Sequence, residues 1–205
     1  NNVMPRLMSQ YPGLSFSFEG RTREQRRAMS ELTYGFVISV LAIFAIFAIV
    51  FKSYGQSLIV MTSIPFAAAA AMFGHVLLGY ELSVVSVFGM IALCGLVVNG
   101  GLVLNHAINQ YHEEDGNSLE DAVILGTKRR FRPIMLTSLT TFIGLVPIIF
   151  ETSTQAKFLV PMAISLGFGV LFSAVAIVFV IPALRLVSLD MANVFARKPG
   201  KRTAE

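Results

Sequence analysis

The chain has 205 residues and a formal net charge of +4; 55% of its residues are hydrophobic and 14% are charged. Soluble domains carry about 25% charged residues, so this composition excludes an ordinary soluble domain and favours a protein with several membrane spans. The lone cysteine, Cys94, excludes an intramolecular disulfide, and its apolar surroundings favour a packing role.

Residues 1–33 predict the end of an extramembrane domain followed by a helical lead-in. Residues 14–18 alternate apolar and polar side chains after a Tyr11-Pro12-Gly13 turn signal, which is typical of a half-buried strand. Because a single strand needs partners, we expect the chain to be a fragment of a longer protein. The arginine-rich segment 21–33 contains no Gly or Pro, and it predicts a solvated or headgroup-level helix rather than a nucleic-acid-binding segment.

Five apolar segments predict membrane-spanning helices, because each reaches or approaches the ~17–25 residues that a span needs. Their predicted bounds are 34–51, 57–78, 83–111, 133–150 and 158–187. In the loop between the third and fourth segments, Ser118 is followed three positions later by an acidic residue, which predicts a short surface helix at about 118–130. The predicted fold class is an all-α membrane protein: a bundle of five transmembrane helices plus one short cytoplasmic surface helix, preceded by an orphan strand.

Basic residues predict the orientation of the bundle. The surface helix ends in the basic cluster 128–132, and the tail 188–205 is also basic. Cytoplasmic loops are enriched in Lys and Arg, so we expect the cluster and the C-terminus to be cytoplasmic. The arginines of segment 21–33 oppose this rule locally, and we attribute them to a large translocated domain, whose charges the rule does not count.

Polar side chains at depth mark the third predicted span. At ~100° per residue, Asn99, His106 and Gln110 fall on one stripe of a helix, whereas Asn105 and Asn109 lie on another side. An amide in a bilayer needs a protein or water partner, so the stripe is either a hydrated polar path or a set of interhelical and interfacial hydrogen bonds. We favour a coupling role for Asn99 and an interfacial position for His106 and Gln110.

The fourth predicted span presents a second polar side, on which Thr137, Thr141 and Gly144 share a face. Each threonine hydroxyl can bond to a carbonyl of its own helix, or it can face Asn99 in a relay that donates and accepts hydrogen bonds. Small residues are also expected where helices pack closely in a membrane. The glycines predicted for such packing are Gly95, Gly100, Gly101 and Gly169.

No carboxylate lies within a predicted span, so we expect no proton-carrying group at depth in this chain. The sequence also shows no nucleophile–base pair, metal-ligand cluster or phosphate-binding loop in these spans. This pattern argues against an intramembrane enzyme. It predicts no cofactor, no metal site and no nucleic-acid partner.

Five sequence blocks carry a resemblance to a known family. They are YPGLSFSFEG, FKSYGQSLIVMTSIPFA, LSVVSVFGMIALCGLVVNGGLVLNHAIN, GNSLEDAVILGTKRRFRPIMLTSLTTFIGLVPIIFE and LVPMAISLGFGVLFSAVAIVFVIPAL. They resemble the C-terminal membrane half of resistance-nodulation-division (RND) efflux permeases of the AcrB, AcrD and AcrF type. The resemblance implies a homotrimer in the bacterial inner membrane, with twelve spans per subunit and a periplasmic adaptor protein as partner. Proton flow through the membrane domain would drive the export of drugs or other small molecules.

The resemblance also implies roles for particular residues. By motif position, Asn99 falls where such permeases have a polar or lysine partner for paired aspartates of the N-terminal half. Thr137 falls on the threonine of the proton relay, and Arg130 on a basic residue at its cytoplasmic mouth. Helical periodicity, rather than the resemblance, adds Thr141 and His106 as members of a possible polar path. Many relatives have acidic residues at the positions of Gly100 and His106, so a support role fits this helix better than a titrating role.

The expected organisation follows from the resemblance. Residues 1–33 would end a periplasmic porter domain and lead into the membrane, residues 34–187 would form the transmembrane domain, and residues 188–205 a cytoplasmic tail. The chain would be inactive alone, because the titrating aspartates belong to the N-terminal half, its principal partner within the bilayer. The alternative is a non-transporting membrane scaffold or assembly module that associates through its small-residue faces.

Overall fold

A computed structural model describes residues 21–153 and 156–196, with side chains described for 27–153 and 157–191. The strand predicted at residues 14–18 lies outside the described residues. The chain divides into two compact units, residues 1–38 and 39–205. All contacts reported below lie within the second unit.

The described residues form six α-helices with short helical turns between them. The α-helices are α1 Arg21–Phe51, α2 Tyr54–Met61, α3 Ser63–Leu78, α4 Val84–Asn109, α5 Leu119–Ile149 and α6 Val160–Ala196. A π-helical turn, Gln110–Glu114, extends α4, and a 3-10 turn, Ala156–Phe158, precedes α6. No strand occurs among the residues described, and the all-α class is confirmed.

Five helical segments are long and apolar enough to cross a membrane, as the sequence predicts. They are Arg27–Phe51, Tyr54–Leu78, Val84–Glu114, Leu119–Ile149 and Val160–Met191. The second segment is divided into α2 and α3 at Thr62, whose hydroxyl bonds to the Ile59 carbonyl at 2.6 Å. Pro65 explains the break, because it cannot donate a backbone hydrogen bond to the turn before it and its ring crowds that turn.

Residues 118–150 differ from the expectation of a separate surface helix followed by a span. They form the single helix α5, with Pro133 inside it. Ser118 caps its start as predicted, and its hydroxyl oxygen accepts a hydrogen bond from the Asp121 backbone N–H. The helix does not stop after the basic cluster because residues 127–132 contain no Gly, Asn or other turn former, and Pro133 removes only one backbone donor.

Helix α6 packs against α3, α4 and α5 and is the most buried of the five candidate spans. Its Ile177 and Ile181 form the main core with Leu93, Leu104 and other apolar side chains. Hydrogen bonds join α2 to α4 and α6 to α4 near the C-terminal end of α4. Lys52, the α4–α5 loop and the C-terminal half of α6 therefore lie at the same end of the bundle. We call this the basic end, because the cluster 128–132 also lies near the start of α5.

At the opposite end, α3 and α4 are joined by a tight turn. Gly79 ends α3 with a positive φ of 69°, which glycine adopts without steric penalty. Ser83 starts α4 by a reciprocal cap with Ser86: each side chain accepts a hydrogen bond from the other's backbone N–H, at 3.2 and 3.1 Å. These two signals fix α3 and α4 as antiparallel neighbours.

Candidate functional site

A cavity of about 230 Å³ lies between α4, α5 and α6. Its walls are mostly apolar, with Asn99 contributed by α4, Thr137 and Thr141 by α5, and Ser173 by α6. Asn99 and Thr137 are exposed, so the cavity opens at the surface of this chain. The structure therefore brings together three of the residues that the sequence predicted for a polar relay or path.

The helices place these side chains by simple periodicity. On α5, Pro133, Thr137 and Thr141 are spaced four residues apart and form one stripe of the cavity wall. On α4, Gly100 keeps the backbone close to α6, since a Cβ at this position would lie 3.2 Å from Ile177 Cδ1. Gly100, Ile177 and the stripe on α5 therefore line the same cavity.

The threonine hydroxyls take up local partners. Thr137 Oγ1 donates to the Pro133 carbonyl and Thr141 Oγ1 to the Thr137 carbonyl, both at 2.8 Å. Bonding within the helix, one of the two arrangements that the sequence allows, is the arrangement present in this structure. A hydroxyl oxygen that donates in this way still has lone pairs to accept a hydrogen bond from a group entering the cavity.

Two predicted site residues lie away from the cavity. His106 is exposed and does not line it, although it shares the helix stripe of Asn99. Arg130 is half-buried near the start of α5, and its Nε is buried without a hydrogen-bond partner among the described residues. The structure thus joins Asn99, Thr137 and Thr141, and it leaves His106 and Arg130 separate from them.

The glycines predicted for packing have different surroundings. A Cβ on Gly101 would lie 2.9 Å from Val60 Cγ1 and 3.0 Å from Ile181 Cδ1, and a Cβ on Gly169 would overlap the Leu93 side chain. An alanine at either position would therefore force neighbouring side chains to shift. Gly95 differs from the expectation: a Cβ there would meet nothing within 4 Å, because that face of α4 is exposed.

A buried polar cluster at the basic end was not predicted. Gln56 Oε1 accepts hydrogen bonds from Asn105 Nδ2 at 3.0 Å and from Asn109 Nδ2 at 2.7 Å. Asn109 Oδ1 in turn accepts a hydrogen bond from Arg185 at 2.7 Å. The available signal was the pair Asn105 and Asn109, four residues apart on an otherwise apolar face of the helix.

A second unpredicted cluster lies at the opposite end, around His75. Its Nε2 lies 2.8 Å from Ser86 Oγ and its Nδ1 lies 3.0 Å from the Ala71 carbonyl oxygen. Ser165 Oγ on α6 donates to the Ser86 carbonyl at 2.9 Å. The expectation of no titratable group at depth considered carboxylates and overlooked this histidine, which is 2% exposed.

Glu151 begins the loop between α5 and α6. Its carboxylate accepts hydrogen bonds from the backbone N–H groups of Ser153 and Thr152, both at 3.0 Å. These bonds favour the ionised form and lower the pKa of the Glu151 carboxyl from its ordinary value. The carboxylate is fully exposed, so it serves the local turn rather than the cavity.

Five helices able to span a bilayer, with polar side chains gathered in a cavity between three of them, define a multi-pass membrane protein with a polar interhelical site. Residues 1–188 match the AcrB/AcrD/AcrF family, and the chain belongs to that family. The resemblance of the sequence to RND efflux permeases is thereby confirmed.

Related proteins agree with this assignment. The chain is 31% identical over 172 residues to the cobalt-zinc-cadmium resistance protein CzcA of Cupriavidus metallidurans, and to the same extent to the cation efflux system protein CzcA of Alcaligenes sp.. The alignment covers 84% of this chain and 16% of each relative. The chain thus spans a small part of the length of these proteins.

Solved structures show the same fold. Two crystal forms of a heavy metal efflux pump match with TM-scores of 0.74 and 0.71, at 21% sequence identity. The matches cover 92% and 91% of this chain and 19% of the pump's chain. At this identity the likeness establishes the helical arrangement and no more.

Proposed function

We propose that the chain is the C-terminal transmembrane part of a proton-driven RND efflux transporter, and that the cavity between α4 and α5 is where it couples to the other membrane half. One observation carries this proposal. Asn99, Thr137 and Thr141 come from two helices yet line one cavity that opens at the chain surface. An exposed amide in a membrane needs polar partners, and carboxylates of the N-terminal half would provide them for Asn99, while the Thr137 oxygen still has lone pairs to accept a hydrogen bond.

The chemistry of the proposed coupling follows from hydrogen-bond capacity. An ionised carboxylate only accepts hydrogen bonds, so it would pair with the Asn99 amide N–H groups. A protonated carboxyl can also donate, so it would bond to the Thr137 hydroxyl oxygen, whose own proton is already directed at the Pro133 carbonyl. Protonation would therefore exchange an α4 contact for an α5 contact and shift the two helices relative to each other.

Arg130 is proposed to act at the cytoplasmic mouth of this route. Its buried Nε lacks a partner among the described residues, so it retains a donor for a carboxylate or a water molecule. The proposed orientation places the basic end and the C-terminus in the cytoplasm, following the enrichment of Lys and Arg in cytoplasmic loops. The N-terminal half, a homotrimeric assembly and a periplasmic adaptor are the proposed partners of the complete permease.

The proposed substrates are drugs or other small molecules. A relative is named for cobalt, zinc and cadmium resistance, so divalent metal cations are a second candidate class of substrate. No group of three or more His, Cys, Asp or Glu residues that could hold a metal ion occurs within the described parts of the chain. Transport assays should therefore compare a fluorescent drug with Zn²⁺ as substrates.

The test is proton-coupled export by the complete permease in membrane vesicles. We expect Asn99→Ala to lower export and proton flux by about tenfold or more, the effect of losing a hydrogen bond to a charged group, and Thr137→Ala, which loses a bond to a neutral carboxyl, to lower them by about fivefold. Thr140→Ala is the matched control, because Thr140 bonds to the Leu136 carbonyl at 2.8 Å in the same way but does not line the cavity. Thr140→Ala should retain export within about twofold.

The alternative function, a non-transporting membrane scaffold, predicts a different outcome. It is supported by the close packing at Gly101 and Gly169. Under this alternative, Asn99→Ala and Thr137→Ala would leave proton flux unchanged. Unchanged export with normal expression would reject the coupling role of the cavity.

A further inference from the structure

The polar cluster at the basic end is formed by Gln56, Asn105, Asn109 and Arg185. Three helices contribute to it: α2, α4 and α6. Asn105 is 0% exposed, Arg185 6% and Asn109 9%. Because water cannot satisfy these groups, the hydrogen bonds within the cluster are their compensation for burial.

The hydrogen bonds of the cluster depend on each other. Asn109 donates to Gln56 and accepts from Arg185, while Gln56 Oε1 accepts from both asparagines. Asn105 Oδ1 and Arg185 Nε are buried without partners among the described residues. The three bonds that exist therefore provide the hydrogen-bond compensation for burying the cluster, and because they share Gln56 and Asn109, a movement of α4 that breaks one of them also strains the others.

The cluster continues a close-packed stripe of α4. Gly101, Asn105 and Asn109 are spaced four residues apart on α4; all three face α2, and Gly101 and Asn109 also contact α6. At Gly101 the backbone approaches Val60 of α2 and Ile181 of α6. At Asn105 and Asn109, hydrogen bonds replace this close approach. This side of α4 is thus held by close packing at Gly101 and by hydrogen bonds at the basic end.

This stripe determines where Asn99 points. Asn105 follows Asn99 by six residues, so the two side chains project about 120° apart around the helix. When Asn105 is held toward α2, Asn99 lies on the side of α4 that borders the cavity. A rotation of α4 by a fraction of a turn would remove Asn99 from the cavity.

We propose that Gln56, Asn105, Asn109 and Arg185 form a rotational lock that sets the angle of α4 and so positions Asn99 in the cavity. These are positioning residues, since they act through α4. The importance of the position for transport depends on the function proposed above, but the lock itself does not. It can be measured without transport.

The test uses the accessibility of a cysteine at position 99 in the complete permease. The starting protein carries Cys94→Ala with any other cysteines removed, and Asn99→Cys is labelled with N-ethylmaleimide. Thr140→Cys, on α5, is the reference position, since it lies outside the cavity. The quantity compared is the ratio of the labelling rate at position 99 to the rate at position 140.

We expect Asn109→Leu, which removes two hydrogen bonds of the cluster, and Arg185→Met, which removes one, to change this ratio by about fivefold or more. Gln56→Leu is a further variant in case the Asn109→Leu and Arg185→Met proteins do not fold. It leaves the hydrogen bond between Arg185 and Asn109 intact. Ser188→Ala is the matched control; Ser188 is exposed, one turn after Arg185, and its hydroxyl bonds only to the Arg185 carbonyl.

A general loss of stability would raise labelling at both positions and leave the ratio unchanged. An unchanged ratio in folded Asn109→Leu and Gln56→Leu proteins would overturn the lock. If the ratio changes but Asn99→Ala still exports normally, the lock stands and the coupling role of Asn99 fails. The two proposals are therefore separated by their own measurements.

Discussion

At the scale of single residues, the buried polar side chains have specific protein partners. His75 bonds through one ring nitrogen to its own helix and through the other to Ser86 at the start of α4. The Ala71 carbonyl can only accept, so Nδ1 carries a proton and donates to it, while Nε2 forms the second bond with the Ser86 hydroxyl. His75 thereby connects the end of α3 to the cap of α4.

Replacing His75 tests the strength of this connection. We expect His75→Leu to lower the free energy of unfolding by about 1–3 kcal/mol, because the Ser86 hydroxyl keeps its bonds to Ser83 but loses its bond to α3 in a buried site. The measurement is denaturant unfolding in detergent. His106→Leu is the control, and because His106 is exposed its effect should stay within about 0.5 kcal/mol. Equal effects of the two substitutions would contradict the role assigned to His75.

At the scale of elements, α5 shows how one residue can shape both a helix and a site. Pro133 lies inside α5, where it removes a backbone donor, and it also lines the cavity beside Thr137. Its own carbonyl accepts the Thr137 hydroxyl. The proline therefore weakens the helix at the point where the proposed coupling requires α5 to respond.

Pro133→Ala should restore the missing donor while keeping the carbonyl that Thr137 uses. We expect the free energy of unfolding to rise by about 1–3 kcal/mol and export to fall, because a stiffer α5 responds less to the cavity. Pro147→Ala, in the same helix but outside the cavity wall, should stabilise without lowering export. A loss of export in both variants, or in neither, would argue against a local role of Pro133.

At the scale of the whole molecule, α6 is the helix around which α3, α4 and α5 are arranged. Close approach is possible because glycines face bulky side chains: Gly169 of α6 meets Leu93 of α4, and Gly126 of α5 meets Ile108 of α4. In a bilayer, helix association depends on such packing, since lipid removes most of the hydrophobic driving force between helices.

Gly169→Ala tests this arrangement directly. The added Cβ would overlap the Leu93 side chain, and we expect a loss of about 1–3 kcal/mol in unfolding free energy through overpacking. Gly55→Ala is the matched control, because a Cβ there would lie 3.9 Å from Ser53 Oγ, an ordinary contact. The control should be neutral or stabilising. Thermal unfolding in detergent measures both, and a neutral Gly169→Ala would show that Leu93 can move aside.

The sequence by itself determined the protein class, the five spans and the face shared by Thr137 and Thr141. These features depend on local hydropathy and on helical periodicity, which are readable from neighbouring residues. It also identified Asn99 as the polar residue of interest, because an amide between two apolar runs is conspicuous without any knowledge of its partners.

Only the tertiary structure decided the partners of the buried polar groups. Gln56 meets Asn105 across 49 residues and Arg185 meets Asn109 across 76, separations at which no local pattern carries information. The tertiary structure also decided that α5 continues through Pro133. The proline costs the helix one hydrogen bond, and whether the helix continues despite this loss depends on its packing against neighbouring helices. In the proposed lock, these distant contacts also set the rotation of α4 and with it the direction of Asn99.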